Sequence, residues 1–78
     1  MRNLADLTNG SSGRVAAVVG EPRLRERLVE LGFTRGTTVT VRNRALLGGP
    51  IEVKIRGGLL AVRGDEAVCV QLLPEDAP

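Results

Sequence analysis

Few side chains in this 78-residue chain are of the types that carry out chemistry. There is no histidine, so the chain lacks an imidazole general base, and Ser11 and Ser12 have no histidine to activate them. The adjacent carboxylates Asp65 and Glu66 fall short of the six or more oxygen ligands that calcium prefers. We therefore expect no catalytic residues and no enzymatic activity.

The cysteine content also argues against a metal site. Cys69 is the only cysteine, which excludes a disulfide within the chain. A lone thiolate without histidine cannot supply the three or four ligands that zinc prefers, so we predict no bound metal and no cofactor. We expect Cys69 to be a partly buried small side chain, and a single free thiol is typical of the cytoplasm.

Composition and charge exclude further classes of function. The net charge of +2 is too small to indicate nucleic-acid binding, and Phe33 is the only aromatic side chain available for base stacking. No apolar run is long enough to cross a bilayer, and the first residues lack the apolar core of a signal peptide. The length predicts one domain over residues 1–78, with a disordered tail from 74 to 78.

A single helix is predicted from Pro22 to Leu31. Proline is well tolerated in a first helical turn, and Gly32 can end the helix in the left-handed conformation with Phe33 folded back onto the last turn. One face is predicted to pack on the core through leucines at i, i+4 and i+7, which are Leu24, Leu28 and Leu31.

The rest of the chain reads as β structure. Five short strands are predicted, at 14–19, 37–43, 51–56, 59–63 and from 68 onward, with a hairpin turn at Gly57-Gly58 and a short turn over 64–67. The strand side chains expected in the core are Val15, Val39, Val41, Val53, Ile55, Val62, Val68 and Val70.

The length and the strand count together predict the fold class. An immunoglobulin-size sandwich needs about 100 residues, whereas a small closed barrel also removes exposed strand edges. We therefore predict a mostly-β fold, a small barrel of about five strands with one inserted α-helix.

One flank of the helix is a candidate contact surface. Val29 is rotated by about 100° from Leu28 and lies beside Arg25, while Arg27 lies on the other side of the leucine face. Arginine is enriched at contact centres, but lone exposed valines are also common, so both interpretations stay open. A second candidate is the glycine-bounded pair Leu46 and Leu47, which cannot easily both reach the core.

Two sequence blocks resemble a known family. They are Arg-Leu-x-x-Leu-Gly-Phe-x-x-Gly at residues 27–36 and Ala-Val-Arg-x-x-Glu-Ala at residues 61–67. Their order and spacing, together with the total length, resemble FeoA, the small cytoplasmic accessory protein of bacterial ferrous iron uptake. The resemblance runs from Leu4 to about Leu72.

The resemblance implies an SH3-like β-barrel with an inserted helix and a non-enzymatic role beside FeoB. FeoB is the membrane transporter that carries a cytosolic GTPase domain, and that domain is the implied partner. The implied docking region is the surface around Arg25, Arg27 and Val29. No catalytic or metal residues are carried over.

Two alternatives follow from the same fold. The chain is also similar to the C-terminal domain of metal-responsive repressors of the diphtheria-toxin-repressor type, so it could be an excised repressor domain. SH3-like barrels also occur in ribosomal and transcription proteins, which makes a nucleic-acid-binding module the other alternative. Because Met1 lies close to the first strand, we expect a free-standing protein. The single aromatic residue argues against nucleic-acid binding, and the short apolar runs argue against membrane insertion, so we expect neither.

Overall fold

The computed structural model describes residues 1–45 and 49–74, and five strands with one longer helix account for most of them. Leu46, Leu47 and residues 75–78 of the predicted tail lie outside the described residues. The elements in chain order are a one-turn 3-10 helix at Leu4–Asp6, β1 at Ser12–Val18, α1 at Pro22–Glu30, β2 at Thr38–Arg44, β3 at Ile51–Ile55, β4 at Gly58–Val62, α2 at Gly64–Ala67 and β5 at Val70–Leu72.

The strands form one antiparallel sheet in the order β4-β3-β2-β1-β5. The register shifts once between β1 and β5 and once between β2 and β3, and such irregularities bend a sheet. Closure of the predicted barrel is not detected, since β4 and β5 end the sheet without pairing with each other over the described ranges. The N-terminal segment occupies the far side of β5, where the Leu72 N–H donates to the Arg2 carbonyl at 2.9 Å.

Most of the predicted core is confirmed. The core faces of the strands and of α1 are buried as the period-two and helical spacings require. The confirmed members are Val15, Leu28, Val39, Val41, Val53, Ile55, Val62 and Val70. Leu24 is partly buried against this cluster, and Leu4 and Phe33 are among its largest buried side chains.

The prediction that Leu31 faces the core is wrong, because the helix ends before it. Gly32 has φ = +115°, its N–H donates to the Val29 carbonyl, and the Phe33 N–H donates to the Leu28 carbonyl at 3.1 Å. These two bonds form a Schellman motif, which turns the chain so that Phe33 is buried and Leu31 is 42% exposed.

Val68 was also predicted in the core and is instead exposed. The segment predicted as a turn over 64–67 is a one-turn helix, α2, and Val68 is its C-cap residue. Period-two alternation therefore starts only at Val70, where β5 begins.

The hairpin turn lies one residue earlier than predicted. Arg56 has φ = +51° and Gly57 has φ = +79°, so these two residues form the turn and Gly58 is already in β4. Positive φ at both central residues is the type I′ geometry that suits a two-residue hairpin. The resulting register keeps Ile51, Val53 and Ile55 in the core.

Candidate docking surface on the helix flank

The flank of α1 next to β1 carries a shallow groove. Leu28 anchors the helix on the core, and Val29, the next residue along, lies away from the core and is 45% exposed. The groove measures about 410 Å³, and the residues that line it are Val18, Pro22, Arg25, Glu26, Val29 and Glu30. The structure thus places Arg25 and Val29 together, as their i, i+4 spacing predicts.

The groove combines an apolar centre with a charged rim. Val18 from the end of β1 and Pro22 from the start of α1 join Val29 as its apolar residues. Arg25, Glu26 and Glu30 surround them with charges of both signs. A protein contact surface typically has this arrangement, an apolar core within a polar rim.

Arg27 lies on the opposite flank and contacts the protein itself. Its guanidinium donates a hydrogen bond to the carboxylate of Glu66, which is only 7% exposed. The other carboxylate oxygen of Glu66 accepts the Arg63 backbone N–H at 2.9 Å. Arg27 therefore ties α1 to α2, while more than half of its side chain stays exposed.

Asp65 and Glu66, the acidic pair considered for cation binding, differ in exposure and in their contacts. Glu66 is engaged with Arg27 and Arg63, whereas Asp65 is exposed and lies 3.5 Å from the Arg63 guanidinium. The Arg27–Glu66 pair was not predicted, although Arg27 belongs to the first of the two sequence blocks that resemble FeoA (27–36) and Glu66 to the second (61–67). Within the described ranges, no group of three or more His, Cys, Asp or Glu could hold a metal ion.

Cys69 is half-buried, in agreement with its interpretation as a small packing residue. Its thiol donates to the Asp65 carbonyl at 3.6 Å. A Cβ atom at Gly20 would lie 3.1 Å from the Cys69 sulfur, so this side chain fills the space beside the glycine.

The second predicted surface, Leu46 and Leu47, falls outside the described residues. The base of that loop is closed where the Ala45 N–H donates to the Pro50 carbonyl at 3.0 Å. Among the helices over residues 1–45 and 49–74, none has the length and hydropathy of a membrane span.

A protein-family model described as the FeoA domain matches residues 2–73. A Porphyromonas gingivalis protein named Fe(2+) transport protein A/Fe(2+) transporter FeoB fusion protein is 29% identical over 69 residues. The match covers 88% of this chain but only 8% of that protein, so the chain spans a small part of this relative's length.

Solved structures show the same fold. The NMR structure of the FeoA protein from Chlorobium tepidum has a TM-score of 0.83 and 39% identity, over 91% of this chain and 68% of that chain. The crystal structure of Stenotrophomonas maltophilia FeoA complexed with zinc, described as a procaryotic SH3 domain protein, has a TM-score of 0.82 and 28% identity, over 92% and 89% of the two chains. The five-stranded sheet with its inserted helix is thus an SH3-like fold.

Proposed function

Since the chain belongs to the FeoA domain family, we propose that it is a non-enzymatic accessory protein of bacterial ferrous iron uptake. Residues 1–78 act as one domain in the cytoplasm, where they dock on the cytosolic GTPase domain of a FeoB-like membrane transporter. The observation that carries this proposal is the fusion protein, in which the region similar to this chain belongs to the same polypeptide as a FeoB transporter. Fusion keeps two parts that act together at a high effective concentration.

The groove on α1 is the proposed contact surface for that domain. Val29 is exposed while Leu28 holds the helix, so Val29 is available to a partner at little cost to the fold. Arg25 beside it supplies a planar cation of the kind enriched at contact centres. Arg27 lies outside the groove, on the opposite flank of α1, and its bond to Glu66 leaves it at most a peripheral part in this contact.

The association is transient in this proposal. A domain of this size offers only a low- to standard-size interface, with a total buried area of about 1,000–1,600 Å². The charged rim then governs the rate of association more than the affinity. In this proposal Arg25 faces an acidic group of the partner, so the association rate decreases with added salt.

The test measures binding of the purified chain to the cytosolic domain of a FeoB-like transporter, with Val29→Glu as the main variant. A carboxylate in the apolar centre should weaken binding at least tenfold, and the melting temperature should stay nearly unchanged because Val29 is exposed. Val68→Glu is the matched control, since Val68 is an exposed valine outside the groove and should bind like wild type. Arg25→Glu should weaken binding and reduce the salt dependence of the association rate.

The possible outcomes distinguish an incorrect docking site from an incorrect partner. If Val29→Glu is stable and binds at wild-type strength, the groove is not the docking site and the Leu46–Leu47 loop is tested next with Leu46→Glu. If Val29→Glu lowers the melting temperature and binding together, Val29 serves the fold rather than the contact. If the wild-type chain does not bind the transporter domain at all, the proposed partner is wrong.

A further inference from the structure

The two edges of the sheet are protected to different degrees. On the far side of β5, the Leu72 N–H donates to the Arg2 carbonyl and Asn3 forms a β-bridge with Gln71. On the far side of β4, no strand pairs with it over residues 1–45 and 49–74. An unpaired strand edge is a template for another strand, and β4 is the edge left open.

The register of the hairpin shows which groups of β4 face this open edge. The two-residue turn makes Ile55 and Gly58 a hydrogen-bonded pair, and pairs alternate along an antiparallel ladder. Leu59 and Ala61 therefore sit in the non-hydrogen-bonded positions opposite β3. Their N–H and C=O groups point away from β3, toward the open edge.

The composition of β4 does not discourage pairing. Proteins protect open edges with charges, prolines or bulges, but β4 reads Gly-Leu-Leu-Ala-Val and pairs with β3 without a register shift. Leu59, on its outer face, is 56% exposed. Strand β4 is thus apolar, without a bulge, and free of these protective devices.

We propose that β4 strands of two copies of this chain pair antiparallel about a two-fold axis at Leu60, forming a homodimer with one continuous sheet. The outward-facing residues Leu59 and Ala61 are symmetric about Leu60, so Leu59 of one copy meets Ala61 of the second copy, and the reverse. These two pairs supply about four inter-chain hydrogen bonds. The proposal is independent of the docking groove, which lies on α1.

The structure also favours this pairing over a head-to-tail one. Pairing of β4 with β5 of another copy would propagate, but the N-terminal segment already covers β5. A two-fold contact uses the same surface on both copies and closes after two. In this register the small side chain of Ala61 lies beside Leu59 of the second copy, and Arg63 falls opposite Gly57 of the second copy.

The first test is sedimentation velocity of the wild-type chain and of Ala61→Pro over a wide protein concentration range. The wild type should show a reversible monomer–dimer equilibrium. Ala61→Pro removes an N–H that the β3–β4 ladder does not use, so it should fold and yet associate at least tenfold more weakly. Ala61→Val keeps the N–H and is the matched control, expected to dimerise like wild type.

The second test checks the register by disulfide formation. Directly opposed, non-hydrogen-bonded residues have Cα atoms about 4.5 Å apart, within disulfide range. Leu60→Cys, combined with Cys69→Ser, should therefore form a covalent dimer on mild oxidation. Lys54→Cys in the same background is the control, because Lys54 lies on β3, away from the axis, and should cross-link at least tenfold less.

A wild-type chain that stays monomeric at all concentrations overturns the proposal. This holds even if β4 is then found to pair with an extended segment of another protein. Dimerisation of folded Ala61→Pro at wild-type strength overturns the role of the β4 edge. Equal cross-linking of the two cysteine variants overturns the axis at Leu60.

Discussion

Successive residues of α1 differ sharply in what they contribute to the fold. Leu28 is fully buried among strand side chains, whereas Val29 and Leu31 keep close to half of their surface in solvent. Leu31 shares the apolar spacing of the leucine face but is the C-cap residue, beyond the last full turn. Leu28 and Leu31 should therefore contribute very different amounts to the free energy of folding, although both are leucines at helical spacing.

The two leucines give a matched pair for a stability measurement. Leu28→Ala should lower the free energy of unfolding by about 2–5 kcal/mol, because it leaves a cavity in the core. Leu31→Ala should lower it by less than about 1 kcal/mol, since most surface substitutions have small effects. Urea denaturation of both variants measures the difference, and equal losses would show that Leu31 packs on the core after all.

For single residues, the sequence predicted which side chains are buried better than which side chains contact each other. The helical spacing identified Leu28, and the glycine after the helix correctly indicated that Phe33 folds back. The Arg27–Glu66 pair was missed because its members are 39 residues apart, and no local periodicity connects them. Pairs of this kind depend on how α1 and α2 meet in space.

The β3–β4 hairpin shows how an element's register can override a turn signal. Two adjacent glycines at 57 and 58 suit a turn, yet the turn uses Arg56 and Gly57. A turn one residue later would shift the register and move one strand's apolar side chains to the other face. Burial of the β3 side chains therefore places an arginine in the left-handed region, which glycine and asparagine adopt more readily.

Arg56→Asn should consequently stabilise the hairpin by about 0.5–1 kcal/mol, because Asn-Gly is the preferred pair in a type I′ turn. The substitution also removes the Arg56 side-chain bond to the Thr34 hydroxyl, but that bond is exposed and is worth less than the strain. Thermal and urea denaturation measure the effect. Lys54→Asn, in the extended part of the same hairpin, is the control and should not stabilise.

A net loss of stability in Arg56→Asn would mean that the contacts of Arg56 outweigh its strain. Those contacts reach the end of α1, since a Cβ at Gly32 would lie 3.2 Å from Arg56 Cδ. The arginine would then act as a brace between the hairpin and the helix. The same experiment therefore decides between a strained turn and an inter-element contact.

Across the whole molecule, the strand count, the β3–β4 hairpin and the single longer helix could be predicted, whereas the order of the strands and the edges of the sheet could not. Alternating valines and isoleucines indicate which face of a strand is buried, and glycines mark most chain reversals, so the β3–β4 hairpin follows from the local pattern. Barrel closure was expected because it removes edges, but residues 2–3 cover β5 instead. That contact joins the two ends of the chain, which local pattern does not connect.

The distribution of donor atoms over the whole molecule bears on its relation to iron. The chain has no histidine, Cys69 is its only thiol, and the buried carboxylate of Glu66 already accepts hydrogen bonds from Arg27 and Arg63. Transition metals need several converging nitrogen, sulfur or oxygen ligands, and no such group occurs in the described ranges.

We predict that the purified chain has no one-to-one Fe²⁺ site of micromolar or tighter affinity, because the scattered carboxylates of the described ranges do not converge on one point. Anaerobic calorimetry measures this directly, and Cys69→Ser should leave the titration unchanged because its thiol packs beside Gly20. A one-to-one site in the micromolar range or tighter would contradict the prediction. If that site weakened on Asp65→Asn, the carboxylate of Asp65 would be one of its ligands and the site would lie at α2.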